Sequence, residues 1–248
     1  MCQGKNRHPG QDLTQKIISN IYLKHVGFTR IFCVSIFWGE IGFSPMEYLE
    51  TEVKFYLSSI DPIRTRVIEL GAVFKHRTFE TNIRFEDAEK SLIQKKSLLR
   101  LRKDNKITLT FKSEPPFQDN QFKILKEFEV EVSDFDTMEH ILKSLGFKEE
   151  QVYEKWREIY VLGDTHLCLD TMPYGDFLEI EGKKESIRQL ASQIGLLWEK
   201  RILLNYLAIF DIIKRQLNLS FYDVTFSNFN NIRFDMAPYL KLIEADAH

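Results

Sequence analysis

The sequence is short of most features that reveal a function directly. It has only three cysteines, Cys2, Cys33 and Cys168. These are too few and too scattered for a disulfide framework or a four-ligand zinc site, so a reducing, cytoplasmic setting is expected. His166 shares a strand face with Cys168, but two candidate ligands without a third do not make a metal centre. Eleven glycines occur, and none falls in a G-x-x-x-x-G-K-[ST] phosphate loop, so any phosphate would have to be held by side chains. Six dispersed histidines accompany no nucleophile motif. No apolar run approaches the roughly 18–20 residues of a membrane-spanning helix. The longest, IFCVSIFW at 31–38, is too short, and no small-residue cleavage site follows it. Net charge is also lacking: 34 Lys and Arg against 36 Asp and Glu leave −2, which gives no bulk attraction to nucleic acid or an anionic membrane.

Strict alternation is what the chain does have. Side chains in a strand point to opposite faces in turn. In YLETEVKFYL, Glu50, Glu52 and Lys54 share one face and Leu49, Thr51, Val53, Phe55 and Leu57 the other. Further strands set Arg100 and Arg102 against Leu99 and Leu101, and Lys112 with Thr108 and Thr110 against Ile107, Leu109 and Phe111. Glu127, Glu129 and Glu131 oppose Phe128, Val130 and Val132, although a one-residue slip of this strand would swap its faces. Lys155 and Arg157 share a face, Asp170 opposes Leu167 and Leu169, and Glu179 with Glu181 opposes Leu178 and Ile180. Seven strands are read in this way, each with a polar row.

Helical periods fill the gaps at 61–70, 134–145 and 184–194, each closed by a glycine (Gly71, Gly146, Gly195), with a further amphipathic helix expected over 198–217. Gly71 and Gly146 lie 75 residues apart, as do Asp61 and Asp136, which suggests two strand–helix–strand halves of similar design. Residues 1–45 lack this patterning and are expected to be an extension, with the functional domain spanning 46–220. The segment 221–248 is not placed by its pattern; its Phe221, Phe226 and Phe229 fit core packing better than a stacking platform.

Any one polar row could be the solvent face of a sheet packed on helices. As a set, the rows segregate by sign, with acids at Glu50/Glu52, Asp170 and Glu179/Glu181 and bases at Arg100/Arg102, Lys112 and Lys155/Arg157. If the sheet closes, both signs face one interior, and so many ions are incompatible with a dry core. Converging Arg and Lys suit a polyanion, because a guanidinium matches phosphate oxygens bidentately. Neighbouring carboxylates suit Mg²⁺ or Mn²⁺, which prefer oxygen ligands. Together they describe metal-assisted phosphoryl or nucleotidyl transfer.

Glu50-Thr51-Glu52-Val53-Lys54 resembles the E-x-E-x-K signature of the CYTH superfamily, the triphosphate tunnel metalloenzymes. LLRLRK, TLTFK, YEKWR, CLD and FLEIEG follow in the family's order. The resemblance implies an α+β fold, an eight-stranded antiparallel β-barrel tunnel with helices packed outside. It implies a triphosphate held by Lys54, Arg100, Arg102, Lys112, Lys155 and Arg157, and a metal held by Glu50, Glu52, Asp170, Glu179 and Glu181. Glu50, Glu52, Lys54 and Asp170 would carry the chemistry. Glu127, Glu129 and Arg84 are further candidates, Arg84 lying in NIRFEDAEKSL, where relatives often differ. The family contains inorganic triphosphatases, thiamine triphosphatases and class IV adenylyl cyclases. Three activities therefore compete: hydrolysis of tripolyphosphate, ATP or thiamine triphosphate; cyclisation of ATP; and non-catalytic sensing of nucleotides or polyphosphate. Monomer and homodimer both stay open.

Overall fold

The computed structural model describes residues 48–246, so the expected extension lies outside the described residues. The β-strands are β1 (Leu49–Leu57), β2 (Val73–Glu86), β3 (Leu98–Lys103), β4 (Ile107–Ser113), β5 (Lys123–Glu131), β6 (Lys148–Leu162), β7 (Thr165–Met172) and β8 (Gly175–Glu181). They form one antiparallel sheet that closes on itself in the order β1-β5-β4-β3-β2-β6-β7-β8. Seven of these strands follow from alternation; β2 does not. It is long, its first residues, Val73 to Arg77, are exposed, and its register shifts between Phe74 and His76 and again between Arg84 and Phe85. Those irregularities break the period of two that would have revealed it.

The helices α1 (Ile60–Glu69), α2 (Ser91–Gln94), α3 (Phe135–Ser144), α4 (Lys184–Ile194), α5 (Tyr206–Leu217) and α6 (Phe226–Phe229) lie outside the ring or against its end. The left-handed φ values of Gly71 (+88°) and Gly146 (+94°) end α1 and α3 in the same way. Asp134 caps α3 by accepting from the Thr137 amide at 2.7 Å. The 75-residue offset matches the order of elements: β1-α1-β2-α2-β3-β4 is followed by β5-α3-β6-β7-β8, which differs only in lacking a counterpart of the one-turn α2.

The apolar face of the ring is covered from outside. Val53, Phe55, Leu57, Leu167, Leu178 and Ile180 pack against Val67 of α1 and Ile187, Ala191 and Ile194 of α4. Leu142 of α3 covers Ile83, Phe85 and Leu101. Burial of this kind contributes roughly 1.5–3 kcal/mol per large aliphatic side chain.

The helix expected over 198–217 is shorter than its pattern suggests. After a single tight turn at Trp198–Lys200 the chain runs extended, and Ile202 exchanges two backbone hydrogen bonds with Lys54, at 3.1 and 2.7 Å. The α-helix starts only at Tyr206, where Asn205 caps it by accepting from the Ala208 amide at 2.8 Å. The C-terminal segment is packed: Phe210 of α5 and Val224, Phe229, Met236 and Ile243 join Tyr153, Tyr174 and Phe177 of the barrel in an apolar cluster, with Phe221 against it. Phe226 instead meets Phe79, with ring centroids 5.9 Å apart. Among the described residues no helix is long and apolar enough to cross a membrane.

Candidate functional site

A cavity of about 890 Å³ occupies the barrel interior. Its walls differ in charge because of strand order. β1 and β8 are neighbours, and their register sets Glu52 opposite Glu181 and Lys54 opposite Glu179. With Glu50 they form an acidic wall. On the other side of the ring, β2 and β3 set Arg84 opposite Arg100 and Asn82 opposite Arg102. Lys112 of β4 and Lys155 and Arg157 of β6 complete the lining between these walls.

Most of the carboxylates are held by cations. Lys54 pairs with Glu52 and, at 2.8 Å, with Glu179. Lys112 pairs with Glu50 and, at 3.1 Å, with Glu127. Glu129 accepts from Thr110 Oγ1 at 2.9 Å and lies 3.3 Å from Arg102. Glu127 and Glu129 therefore face the lumen, which settles the register of β5. Arg84 also lines the cavity.

Asp170 sits deeper. It receives Arg157 Nε at 2.7 Å, Arg157 Nη2 at 2.5 Å, Lys155 Nζ at 3.1 Å and the Tyr206 hydroxyl at 2.7 Å. It is fully buried, so its oxygens are occupied by donors and do not line the open cavity.

The sequence pattern missed three participants. Lys123, the first residue of β5, reaches Glu52 at 2.6 Å; it shares parity with Glu127 and Glu129, a signal lost by starting the strand three residues later. Glu80 of β2 lies 3.5 Å from Lys155 and 3.8 Å from Arg157, hidden with the rest of its strand. Tyr206 lays its ring 5.2 Å from the Lys54 ammonium and 5.1 Å from that of Lys155. It arrives from α5, and no local pattern could place it.

Electrostatics distinguish the acids. Burial disfavours the Glu52 anion and Glu179 repels it, but Lys123, Lys54 and Lys112 prevail and hold its carboxyl at about 2. Glu80 is likewise lowered to about 2: burial opposes ionisation, and Lys155, Arg157, Arg102 and Arg100 outweigh it. Glu181 behaves in the opposite way. Burial and the charges of Glu50, Glu179 and Glu52 push it up to about 8. Burial and Glu52 also raise Glu50. The Glu50–Glu181 side of the acidic wall is thus short of positive charge.

That shortage, with an all-oxygen donor set, fits a hard divalent cation. Among the described residues no three such side chains already converge on one point, because Glu50, Glu52 and Glu179 are turned onto lysines. Binding a cation would exchange those lysine contacts for metal contacts.

The basic wall carries the complementary deficit. The Nε atoms of Arg84 and Arg100, both amide atoms of Asn82, Thr108 Oγ1 and Glu80 Oε2 are buried without a hydrogen-bond partner, while Arg102 Nε lies 3.2 Å from Asp104. A folded interior rarely tolerates so many unsatisfied groups. Clustered guanidinium groups facing a carboxylate wall across a cavity are chemically suited to a polyanion. The CYTH domain family matches residues 48–208, and the chain belongs to that family. A Methanocaldococcus jannaschii protein, provisionally named an adenylate cyclase, is 30% identical over 143 residues, covering 57% of this chain and 81% of that one. A Pyrococcus horikoshii structure is 30% identical with a TM-score of 0.55, covering 63% of this chain and 96% of its own. A Vibrio parahaemolyticus structure, also provisionally named an adenylate cyclase, matches in fold at 20% identity, with a TM-score of 0.59 and coverage of 66% and 98%.

Proposed function

We propose that the protein is a divalent-metal-dependent phosphohydrolase that binds a triphosphate inside the barrel and cleaves it with water. The observation that carries this reading is the cluster of Arg84, Arg100 and Arg102 on β2 and β3, with the buried Nε atoms of Arg84 and Arg100 lacking a hydrogen-bond partner, facing the acidic wall of β1 and β8. Leaving such donors buried and unmade costs about 1–3 kcal/mol each; phosphate oxygens relieve that cost.

In this reading Arg84, Arg100, Arg102, Lys112, Lys155 and Arg157 bind the triphosphate, with Lys54 at the boundary between the walls. Glu50, Glu52, Glu179 and Glu181 hold Mg²⁺ or Mn²⁺, which when bound neutralises phosphate oxygens and acidifies a water. Asp170 holds Arg157 and Lys155 in place, and Glu127 and Glu129 do the same for Lys112 and Arg102. Lys54 and Lys123, which both pair with Glu52, would be the lysines nearest a cation held there. The setting is cytoplasmic, and neither nucleic acid nor membrane is a partner.

A second reading has one observation in its favour: the Methanocaldococcus relative bears the provisional name of an adenylate cyclase. The same side chains would then hold ATP while its ribose hydroxyl attacks and pyrophosphate leaves. Purified protein incubated with Mg²⁺ or Mn²⁺ and, separately, tripolyphosphate and ATP decides between them. Orthophosphate without cyclic AMP is expected. Cyclic AMP with pyrophosphate would establish the second reading. Binding without any product would leave a sensor, and chelation by EDTA should abolish turnover.

A further inference from the structure

The cavity is not ionic along its whole length. From the charged interior it extends to a rim made by the β2–β3 loop, the β4–β5 loop and the chain entering α5, where Ile93, Leu98, Pro115, Phe117, Leu203 and Leu204 line it. Phe117 is 48% exposed and Ile93 37%. Isolated exposed apolar residues are ordinary on any surface. These two differ in lining the same cavity as the arginines, and neither belongs to any of the three apolar clusters that build the core.

The rim is also held in shape. Lys96 of one loop and Glu114 of the other lie 3.2 Å apart. The base of the β4–β5 loop is fixed by Asp119, which accepts from the amides of Gln121 and Phe122 at 2.7 and 2.9 Å. The fully buried Arg201 guanidinium adds bonds to the carbonyls of Asn120 and Gln121, both at 3.1 Å. Phe117 is therefore presented by an anchored loop.

An inorganic polyphosphate has no surface that such a rim could recognise, whereas a flat heterocycle has two apolar faces. We infer that the substrate is an organic triphosphate whose planar ring rests on Phe117 and Ile93 while its phosphates lie among the arginines, so that these two rim residues set the preference for an ester over tripolyphosphate. The inference rests on the triphosphate reading of the lumen and narrows it. Phe117 and Ile93 touch the ring alone, so they govern binding of one part of the substrate and leave the phosphates untouched.

The test is calorimetric competition, which needs no turnover. Tripolyphosphate and a non-hydrolysable ATP analogue are titrated into wild-type protein, Phe117→Ala, Ile93→Ser and the conservative Phe117→Trp. The wild type is expected to bind the analogue about tenfold more tightly than tripolyphosphate, the size of one aromatic–ring stack. Phe117→Ala should remove most of that margin, Ile93→Ser part of it, and Phe117→Trp none, while tripolyphosphate binding stays within about twofold throughout. Equal or tighter binding of tripolyphosphate by the wild type overturns the inference. So does a loss in Phe117→Ala that is the same for both ligands, or no loss at all. Binding of neither ligand overturns the triphosphate reading itself, an outcome separate from those that concern the rim.

Discussion

The two halves of the barrel share a topology and differ in chemistry at one place, the hairpin that closes each half. In the first, the β3–β4 hairpin sends Arg100, Arg102 and Lys112 into the lumen; in the second, the β7–β8 hairpin in the corresponding place sends Glu179 and Glu181, with Asp170 buried beneath them. β2 carries Arg84 and Glu80 where β6 carries Lys155 and Arg157. Repetition supplies a closed frame, and the unequal charge of the two hairpins, with β1 lying beside β8, supplies two unlike walls. A frame with identical halves would present like charges across the lumen, and their mutual repulsion in a poorly solvated interior would oppose closure. The site is therefore a property of how the halves differ.

Removing charge from the acidic side should cost the most. Glu52→Gln or Glu50→Gln is expected to lower metal-dependent turnover by about 10²–10³ or more, the scale of losing one preorganised electrostatic group, with the fold retained by circular dichroism. Full activity in both would remove the metal assignment. Breaking the tie between Asp170 and the bases of β6 should act on stability instead. Asp170→Ala leaves Arg157 and Lys155 buried without their principal carboxylate, and a loss of about 3–5 kcal/mol is expected in urea unfolding. An unchanged midpoint would show that Glu80 and Glu179 hold Arg157 by themselves.

On the basic side, Arg100→Ala and Lys112→Ala should raise KM by about tenfold or more, the worth of a charge-assisted hydrogen bond, with a smaller effect on kcat. Unfolding of these variants would mark the residues as structural ion pairs. Acid should weaken the ion pairs made by Glu52 and Glu80 in a defined window. Glu52 and Glu80 titrate at about 2 in the folded protein against 4.5 when free. Their contribution is present above pH 4.5 and is lost as pH falls from 4.5 toward 2. The urea midpoint should drop through that range, and drop less in Glu80→Gln. The smallest effect is expected from Tyr206→Phe, which keeps the ring over Lys54 and Lys155 and deletes one donor to Asp170. A rise in KM of a few-fold with little change in Tm is the expected outcome, measured by steady-state kinetics and thermal unfolding.

Legibility in the sequence followed physical regularity. The E-x-E-x-K strand and the two hairpins could be read because a buried outer face forces apolar residues onto alternate positions, and the charged partners then stand out against them. Gly71 and Gly146 marked both helix ends for a similarly local reason. β2 failed where its register shifts, and Glu80 and Asn82 were lost with it. The start of α5 was hidden because its extended approach is fixed by Lys54, about 150 residues earlier, a constraint that no local window contains. The surroundings of Asp170 were hidden for the same reason: its family motif marks it as a ligand candidate, and Arg157, Lys155 and Tyr206 reach it from other elements.

The pairing of β1 with β8 joins the first strand of the barrel to the last, so that Lys54 and Glu179 touch although they lie 125 positions apart in the sequence. Such distant contacts form late, because a long loop must be closed before they return any free energy. A chain emerging from the ribosome can assemble its basic hairpin early, yet Glu50 and Glu52 stay without Glu179 and Glu181 beside them until β8 has been made. The charged lumen is thus completed in one step, when the ring shuts.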